Sequence, residues 1–367
     1  MTTIGNVCAF TNGKAHEQNV VEYGEYIIVN SKFISSDGVV KKYSNKQICP
    51  LFKNDIVMVM SDVPNGKAMS KCFCIDKDNK YTLNQRICAL RTKQIPLYYM
   101  MQINRNDYFM KFDDGVKQTN LRKDDVLACP VYSTTIKEQT KIADFLSLID
   151  QRIEKQRRLV ESLKKYKRGL FLKLYNDSEK SITLFKNIYK MASEGGTPST
   201  LDAENYENGT IPFIKIDDLN QHYLISAKYF ITEKGLKKSS AWIVPENSII
   251  YSNGATIGAC SINKIPVTTK QGILGIVPKS NFSVEFLYFL FTSSVFKQKI
   301  RAITTKGTMD SAYLKDINGI KISIPDFIAQ QKIAKIMVDF ENLIERTELS
   351  FIYLQNIKKA LLQQMFI

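Results

Sequence analysis

The chain has few residues of the kinds that carry acid–base or metal chemistry. It contains 2 histidines and 1 tryptophan in 367 residues. Its 7 cysteines include no CxxC pair, and only Cys72 and Cys74 stand close together. A zinc site of known ligand spacing therefore cannot be assembled, and we expect reduced, mostly buried thiols. The sequence predicts no metal site.

Sequence signatures of catalysis are absent as well. There is no GxxxxGK[ST] loop, no GxGxxG, no HExxH and no GxSxG. An amino-methyltransferase needs an (N/D/S)PP(Y/F) tetrapeptide, and the chain has no Pro-Pro pair. Asp76, Asp78 and Lys80 could suggest a nuclease, but a charged loop explains them more simply. The sequence therefore predicts a binding protein that is not an enzyme.

Long apolar runs and a leader segment are also missing. No run approaches the roughly 20 apolar residues that span a bilayer. Residues 1–6 do not form a basic segment followed by an apolar one, so no signal peptide is visible. We expect a soluble, cytoplasmic protein. The length and a hydrophobic fraction of 44% favour two domains with sizeable cores.

The charge is strongly one-sided. With 51 basic and 36 acidic residues the net charge is +15, and the pI is about 9.3. Such a balance indicates an anionic partner, with nucleic acid favoured over a membrane surface.

The most informative feature present is an internal repeat of two helical segments. Residues 139–143 match 330–334, and residues 167–170 match 358–361. Apolar residues between these anchors recur in steps of four and three, which is the heptad pattern of a coiled coil. The predicted seam consists of Ile142, Leu146, Ile149, Ile153, Val160, Leu163 and Leu170 in the first copy, and Ile333, Met337, Phe340, Ile344, Phe351, Leu354 and Leu361 in the second.

These repeats divide the chain into four segments. The first helix covers 136–176 and the second 328–367, and each has a length of roughly 60 Å at about 1.5 Å per residue. Residues 1–135 and 177–327 have short β-like runs and turn signals, so they form two mixed heads. Because a compact head joins the first helix to the second, the helices must run antiparallel. Between the heads only scattered matches remain: Asn54-Asp55-Ile56-Val57 with Asn247-Ser248-Ile249-Ile250, and Gln85 with Gln271.

Two groups of residues are candidates for nucleic-acid contact. The first helix carries nine basic residues between 151 and 173 against two acidic ones, and such a helix can follow a phosphate backbone. A solvated helix face or an acidic protein partner explains that row equally well. Turns in the heads carry side chains of the types that read base edges. They are Lys14, Lys32, Asn65, Lys67, Arg86 and Lys117 in the first head, and Thr197, Ser199, Lys215, Asn253, Lys270, Gln271 and Lys306 in the second.

Several segments resemble the specificity (S) subunit of type I restriction–modification systems. In the second head these are Gly195-Gly196-Thr197-Pro198-Ser199, residues 211–214 with Asp217 and Leu219, residues 254–258, and residues 270–273. Residues 84–87 resemble the last of these, and both helices are similar to the family's helices. The resemblance covers essentially the whole chain, although the first head has no GGTPS-like segment.

The resemblance implies an α+β fold in which two mixed α/β target-recognition domains in tandem are separated by two long helices that form an antiparallel coiled coil. It further implies a DNA-binding, non-catalytic subunit that reads a bipartite, asymmetric site. Methyltransferase (M) subunits, two of them expected, would bind the helices, and restriction (R) subunits could join. S-adenosylmethionine would bind the methyltransferase partner, so no cofactor is expected in this chain. A coiled-coil adaptor that bridges two proteins remains the alternative.

Overall fold

The computed structural model describes residues 1–63, 68–104, 107–113, 118–219, 221–254, 256–304 and 311–365. Two compact units emerge from its internal contacts. The first consists of Met1–Gln156 with Ser350–Ile367, and the second of Arg157–Leu349. Each unit therefore holds one head and part of both long helices. Within the described residues, no helix is long and apolar enough to cross a membrane.

The head of the first unit is built from short strands and short helices. Its strands are β1 (Thr2–Thr3), β2 (Cys8–Asn12), β3 (Tyr26–Val29), β4 (Tyr43–Ser44), β5 (Ile56–Val59), β6 (Ser61–Asp62), β7 (Cys72–Cys74), β8 (Tyr81–Leu83), β9 (Ile87–Thr92), β10 (Thr119–Asn120) and β11 (Pro130–Val131). Its helices are α1 (Ile4–Val7), α2 (Ser31–Ser35), α3 (Pro96–Ile103), α4 (Asp107–Met110) and α5 (Lys123–Leu127).

Two sheets form the core of this head. An antiparallel sheet has the order β2-β9-β5-β7, and a smaller one has the order β4-β3-β8, in which β3 and β8 are parallel. All four residues of β5 are buried, because one face packs against α3 and the other against the smaller sheet. Burial on both faces explains why β5 reads as the continuous apolar run Ile56–Val59 and not as an alternating pattern.

The second head is also built from short strands and short helices. Its strands are β12 (Lys180–Leu184), β13 (Tyr189–Glu194), β14 (Ile211–Ile214), β15 (Tyr223–Leu224), β16 (Phe230–Ile231), β17 (Ile249–Ser252), β18 (Cys260–Asn263), β19 (Thr268–Thr269), β20 (Ile273–Pro278) and β21 (Lys321–Pro325). Its helices are α7 (Glu233–Lys237), α8 (Val284–Thr292), α9 (Ser294–Ile303) and α10 (Leu314–Ile317). For both units, the long helices are α6 (Ile136–Asp177) and α11 (Phe327–Met365).

The two heads share one strand topology. The order β13-β20-β17-β18 repeats β2-β9-β5-β7, with β15 added in parallel at the edge. The order β16-β14-β19 repeats β4-β3-β8, again with one antiparallel and one parallel neighbour. The pairs β1-β11 and β12-β21 precede the two long helices. The repeat therefore includes the heads, where sequence comparison had found only scattered matches.

Those scattered matches are structural equivalents. Asn54 and Asn247 directly precede a buried residue and then β5 or β17, and both have a positive φ, 73° and 55°. Gln85 and Gln271 occupy the turns β8–β9 and β19–β20. Asparagine tolerates the left-handed conformation better than most residues, which accounts for its presence at both positions.

The long helices contact each other in antiparallel fashion, as the sequence predicted. In the second unit, the Lys164 ammonium lies 2.5 Å from the Glu348 carboxylate, and Lys167 pairs with Glu341. Residue numbers rise along α6 as they fall along α11, which defines the direction. In the first unit the ammonium of Lys358 contacts Asp150 at 2.5 Å. Every predicted seam residue is buried or half-buried.

A buried glutamine connects each long helix to its own head. The Gln330 Oε1 accepts a hydrogen bond from the Ser283 N–H at 2.9 Å, and its Nε2 donates to the Pro325 carbonyl at 2.9 Å. Gln139 makes the equivalent bonds, to the residue before α3 and to a carbonyl five residues upstream. Buried backbone groups need such partners, so the repeated glutamine has a structural reason.

Candidate nucleic-acid interface

In the second head, the ends of three strands and one turn lie at the same edge of the sheets. The C-terminal ends of β13, β14 and β17 meet the β19–β20 turn there, because β13 and β17 both pair antiparallel with β20 and β14 runs parallel to β19. We call the residues at this place, 194–199, 215, 253–254 and 270–272, the second-head edge. It contains every described candidate residue of that head.

Main-chain hydrogen bonds bring three of these candidates close together. The Gln271 N–H donates to the Thr197 hydroxyl at 3.3 Å, and the Lys270 N–H donates to the carbonyl at the end of β14 at 3.0 Å. The side chains of Thr197, Lys270 and Gln271 are all exposed. A hydroxyl, an ammonium and an amide are thus presented side by side on a turn with fixed main-chain geometry.

The other three candidates of this head differ in accessibility. Asn253 is only 3% exposed, and its Nδ2 donates to the Ala312 carbonyl at 3.2 Å, so its placement favours a positioning role. The Lys215 ammonium lies 3.4 Å from the centroid of the Tyr229 ring, a cation–π contact that leaves the side chain half-buried. Ser199 is exposed.

Close backbone approach explains the glycines of the second-head edge. A Cβ on Gly195 would lie 2.0 Å from the Thr269 carbonyl oxygen. Gly272 has a φ of +86°, a conformation that other residues rarely adopt. Gly195 therefore lets β13 end directly against the end of β19, while a Cβ on Gly196 would lie 2.5 Å from the Ala241 main-chain nitrogen.

The first head presents the equivalent edge. The Gly13 N–H donates to the Ile87 carbonyl at 3.0 Å, just as the Gly195 N–H donates to Ile273 at 2.9 Å. Gly13 is thus the counterpart of Gly195, although the sequence around it does not read GGTPS. Lys14 follows Gly13 directly and forms an isolated parallel β-bridge with Asn84 in the β8–β9 turn.

Lys14 and Arg86 are both exposed at this first-head edge, which we define as residues 12–14, 60–61, 84–86 and 120–123. Lys32 lies in α2, which follows the end of β3, the strand parallel to β8. Its side chain is exposed.

Between these segments the first-head edge forms a cavity of about 450 Å³ that is open to solvent. Its polar lining includes Asn12, Gln85, Arg86, Asn120, Arg122 and Lys123. The sequence had singled out only Arg86 from this set. Arg122 and Lys123 follow directly after Leu121, and that adjacent basic pair was the signal that could have indicated them.

Four of the candidate residues fall outside the described residues. They are Asn65, Lys67, Lys117 and Lys306.

Part of the basic row on α6 is already paired. Lys164 and Lys167 contact acidic residues of α11, and the Arg157 guanidinium contacts Glu161 one turn along at 2.6 Å. Lys165 and Arg168 are exposed on the same helix. Some basic residues of the row therefore form ion pairs on the long helices, whereas others are exposed to solvent and accessible to a partner.

Two buried thiols of the first head have raised pKa values. Burial raises the pKa of the Cys88 thiol to about 12, and it raises that of Cys129 to about 12 as well, so both stay protonated at neutral pH. Among the described residues there is no group of three His, Cys, Asp or Glu side chains that could hold a metal ion.

Comparison with known proteins agrees with this architecture. The chain matches the family model described as the type I restriction modification DNA specificity domain over residues 1–164 and 185–353. It is 34% identical over 185 residues to the type I restriction enzyme MjaIX specificity subunit of Methanocaldococcus jannaschii. That match covers 50% of this chain and 42% of the relative, so the aligned part is less than half of the relative's length.

Two solved structures have the same fold. The S subunit of a type I restriction–modification system from M. genitalium superposes with a TM-score of 0.57 at 19% identity, covering 100% of this chain and 95% of that one. A chain from a structure on complex assembly and conformational transition of the type I R-M system gives a TM-score of 0.64 at 13% identity, with coverage of 99% and 96%. Because the family model matches the chain twice, once in each half, and because the fold is that of solved S subunits, the chain belongs to the type I restriction modification DNA specificity family.

Proposed function

We propose that the chain recognises DNA without catalysing a reaction on it, as the specificity subunit of a type I restriction–modification enzyme. The observation that carries this proposal is one sheet framework built twice, with different side chains at the same edge of each copy. The first-head edge presents Lys14 and Arg86, whereas the second presents Thr197, Lys270 and Gln271. Two unlike edges on one framework suit a bipartite target whose halves differ in sequence.

The target-recognition domains in this proposal are residues 1–135 and 177–327, and the helices 136–176 and 328–367 connect them. Side chains at each edge would specify bases through the major groove, while phosphate contacts would provide register. A net charge of +15 supplies the long-range attraction to DNA.

The proposed partners are methyltransferase subunits, two per chain, which bind the helices and carry S-adenosylmethionine. Exposed apolar side chains on both helices support a protein partner there. Leu148 is 63% exposed and Tyr353 is 65% exposed, although both lie on helices whose seams are covered. Restriction subunits are a further proposed partner. Since the proposed ligand is the chromosome, the proposed compartment is the cytoplasm.

The test is a genome-wide map of methylated bases in the source cell, with and without this gene. Loss of a split, asymmetric motif with methyladenine in each half on deletion supports the proposal and identifies the target. An unchanged map argues against it, and an adaptor that bridges two proteins then becomes the better explanation. Purification of the tagged chain from the same cells checks the partners, because a methyltransferase should copurify at two copies per chain.

A further inference from the structure

The shared topology places Arg86 and Gly272 at the same position of the two heads. The Met60 N–H donates to the Arg86 carbonyl at 3.1 Å, and the Asn253 N–H donates to the Gly272 carbonyl at 3.1 Å. In both heads the acceptor directly precedes the central strand, β9 or β20, and the donor directly follows the neighbouring strand, β5 or β17. One framework position thus carries an arginine in one head and a glycine in the other.

In the second head this position is closed by main chain. The Gly254 N–H donates to the Gly272 carbonyl at 3.2 Å, and a Cβ built on Gly254 would lie 3.4 Å from the Gly272 Cα. Because neither residue has a side chain, backbone packs directly on backbone. Nothing projects from Gly272, and the neighbouring exposed group is the amide of Gln271.

In the first head the same position opens into the 450 Å³ cavity. Three cationic side chains, Arg86, Arg122 and Lys123, line it and are exposed. No Asp or Glu is among the described residues of the lining. Two nearby carboxylates already accept hydrogen bonds, Glu17 from the Gln85 amide at 2.6 Å and Asp125 from the Arg122 main-chain N–H at 2.7 Å.

We propose that this cavity reads a guanine in one half of the target, with Arg86 as the specificity-determining side chain. The inference rests on the proposed function and deepens it. In the major groove guanine presents two acceptors, O6 and N7, whereas adenine and cytosine present a donor amino group. Arginine has five N–H donors and no acceptor, so it matches guanine and leaves an amino group unpaired.

The two heads are expected to prefer different bases, because the turns β8–β9 and β19–β20 carry different side chains. Gln271 carries one donor and one acceptor group at the tip of its turn, a pair that suits adenine. Its counterpart in the first head, Gln85, is also exposed but donates its amide N–H to Glu17, whereas the exposed Arg86 beside it presents a guanidinium. An exposed side chain on each turn, Arg86 in the first head and Gln271 in the second, would therefore decide which base that half requires.

The test uses the complete set of subunits in cells, with maps of methylated bases for four chains. They are the wild type, Arg86→Gln, Arg86→Lys and Lys77→Gln. Lys77 is exposed in the β7–β8 connection, which enters β8 at the end opposite the cavity, so its change removes the same charge without altering the edge. Because Arg86 is exposed, its variants should fold, and their melting temperatures check this.

The expected result is that Arg86→Gln relaxes the requirement for guanine at one position of one half-site, while the other half stays as in the wild type. For the purified assembly, the preference for the cognate duplex over one changed at that base should fall roughly 5- to 150-fold. Arg86→Lys should retain part of the preference, since lysine also donates to guanine, and Lys77→Gln should have no effect.

Two other results would overturn the inference. If Arg86→Gln leaves the motif unchanged and only lowers methylation evenly at all sites, with a weaker salt dependence, Arg86 contacts a phosphate. If the variant map equals that of the wild type, the cavity reads nothing. Both are distinct from failure of the proposed function, in which the wild-type chain itself yields no split motif.

Discussion

At the scale of single residues, Gly13 and Gly195 are required because of close contact with neighbouring main chain. Gly13 and Gly195 have no close sequence context in common, yet a Cβ on either would lie about 2 Å from a carbonyl oxygen of the neighbouring turn, 1.9 Å and 2.0 Å respectively. A contact of that length forces main chain to move. Substitution at either position should therefore disturb the edge from which the proposed base contacts project.

We expect Gly195→Ala to destabilise the second head by about 1–3 kcal/mol, the usual cost of overpacking. Gly169→Ala is the matched control, because Gly169 lies inside α6 with nothing within 4 Å of its Cβ. That change should stabilise the chain by roughly 0.5–1 kcal/mol through helix propensity. Urea unfolding of the two variants measures both effects, and equal midpoints would contradict the contact argument.

Gln271 provides a second prediction at this scale. Its main-chain N–H donates to the Thr197 hydroxyl and its side chain is exposed, so Gln271→Ala should leave folding intact. We expect relaxed specificity at one base pair, worth about 1–3 kcal/mol, in the half-site that Arg86 does not affect. Lys190→Ala, exposed at the far end of β13, is the control. Relaxation of both halves by Gln271→Ala would show that the heads do not read independently.

At the scale of elements, the long helices follow the heptad pattern closely. Their seam side chains are covered while other apolar side chains on the same helices remain exposed, which separates the contact between the helices from the surface available to partners. Thr347 interrupts the apolar pattern, and its hydroxyl donates to the carbonyl of Leu343 at 2.7 Å, so its polar group is satisfied within the helix.

We expect Leu354→Asp to weaken the helix pair by several kcal/mol, because the seam position is half-buried and an unpaired carboxylate there loses hydration. Ser350→Asp introduces the same charge at an exposed polar side chain one turn earlier in α11, and it should be tolerated within about 0.5 kcal/mol. Circular dichroism during urea unfolding measures the stability, and methylation of the target measures the function. Retained function in Leu354→Asp would argue against a role for the helix pair.

At the scale of the whole molecule, charge is the property that matters most for the proposed ligand. The chain has 15 more basic than acidic residues, but several of the basic ones are neutralised by the ion pairs between the helices. Each such pair joins one basic to one acidic residue and is already cancelled in the net charge, so the basic residues outside these pairs are the ones available to phosphates.

We expect the affinity of the purified assembly for DNA to fall linearly with the logarithm of the salt concentration. If six to ten phosphates are contacted, the loss between 50 and 200 mM salt is about 10³- to 10⁵-fold. Fluorescence anisotropy with a cognate and a scrambled duplex measures this. A flat salt dependence for both duplexes would favour the adaptor function, in which the basic residues serve an acidic protein.

The sequence predicted the long helices well and the edges only in part. Heptad spacing is a local property of the chain, so the two long helices and the apolar rows along them could be predicted without a structure. Arg122 and Lys123 could not be assigned to the same cavity as Arg86, because they lie far apart in the chain and meet only when β5, β9 and the start of α5 pack together. Asn253 was chosen for its type, and its burial could not be foreseen from its neighbours.

By itself the sequence determined the repeat, the two helices, their antiparallel direction and the lack of catalytic motifs, because these depend on periodicity and on residue type. The tertiary structure decided that the two heads are copies of one framework and that Arg86 and Gly272 occupy the same position in it. Strand pairing depends on which residues are buried and on main-chain hydrogen bonds, both of which persist when side-chain identities diverge. For that reason the common framework of the two heads is visible in their main-chain hydrogen bonds, whereas their amino-acid sequences show little similarity.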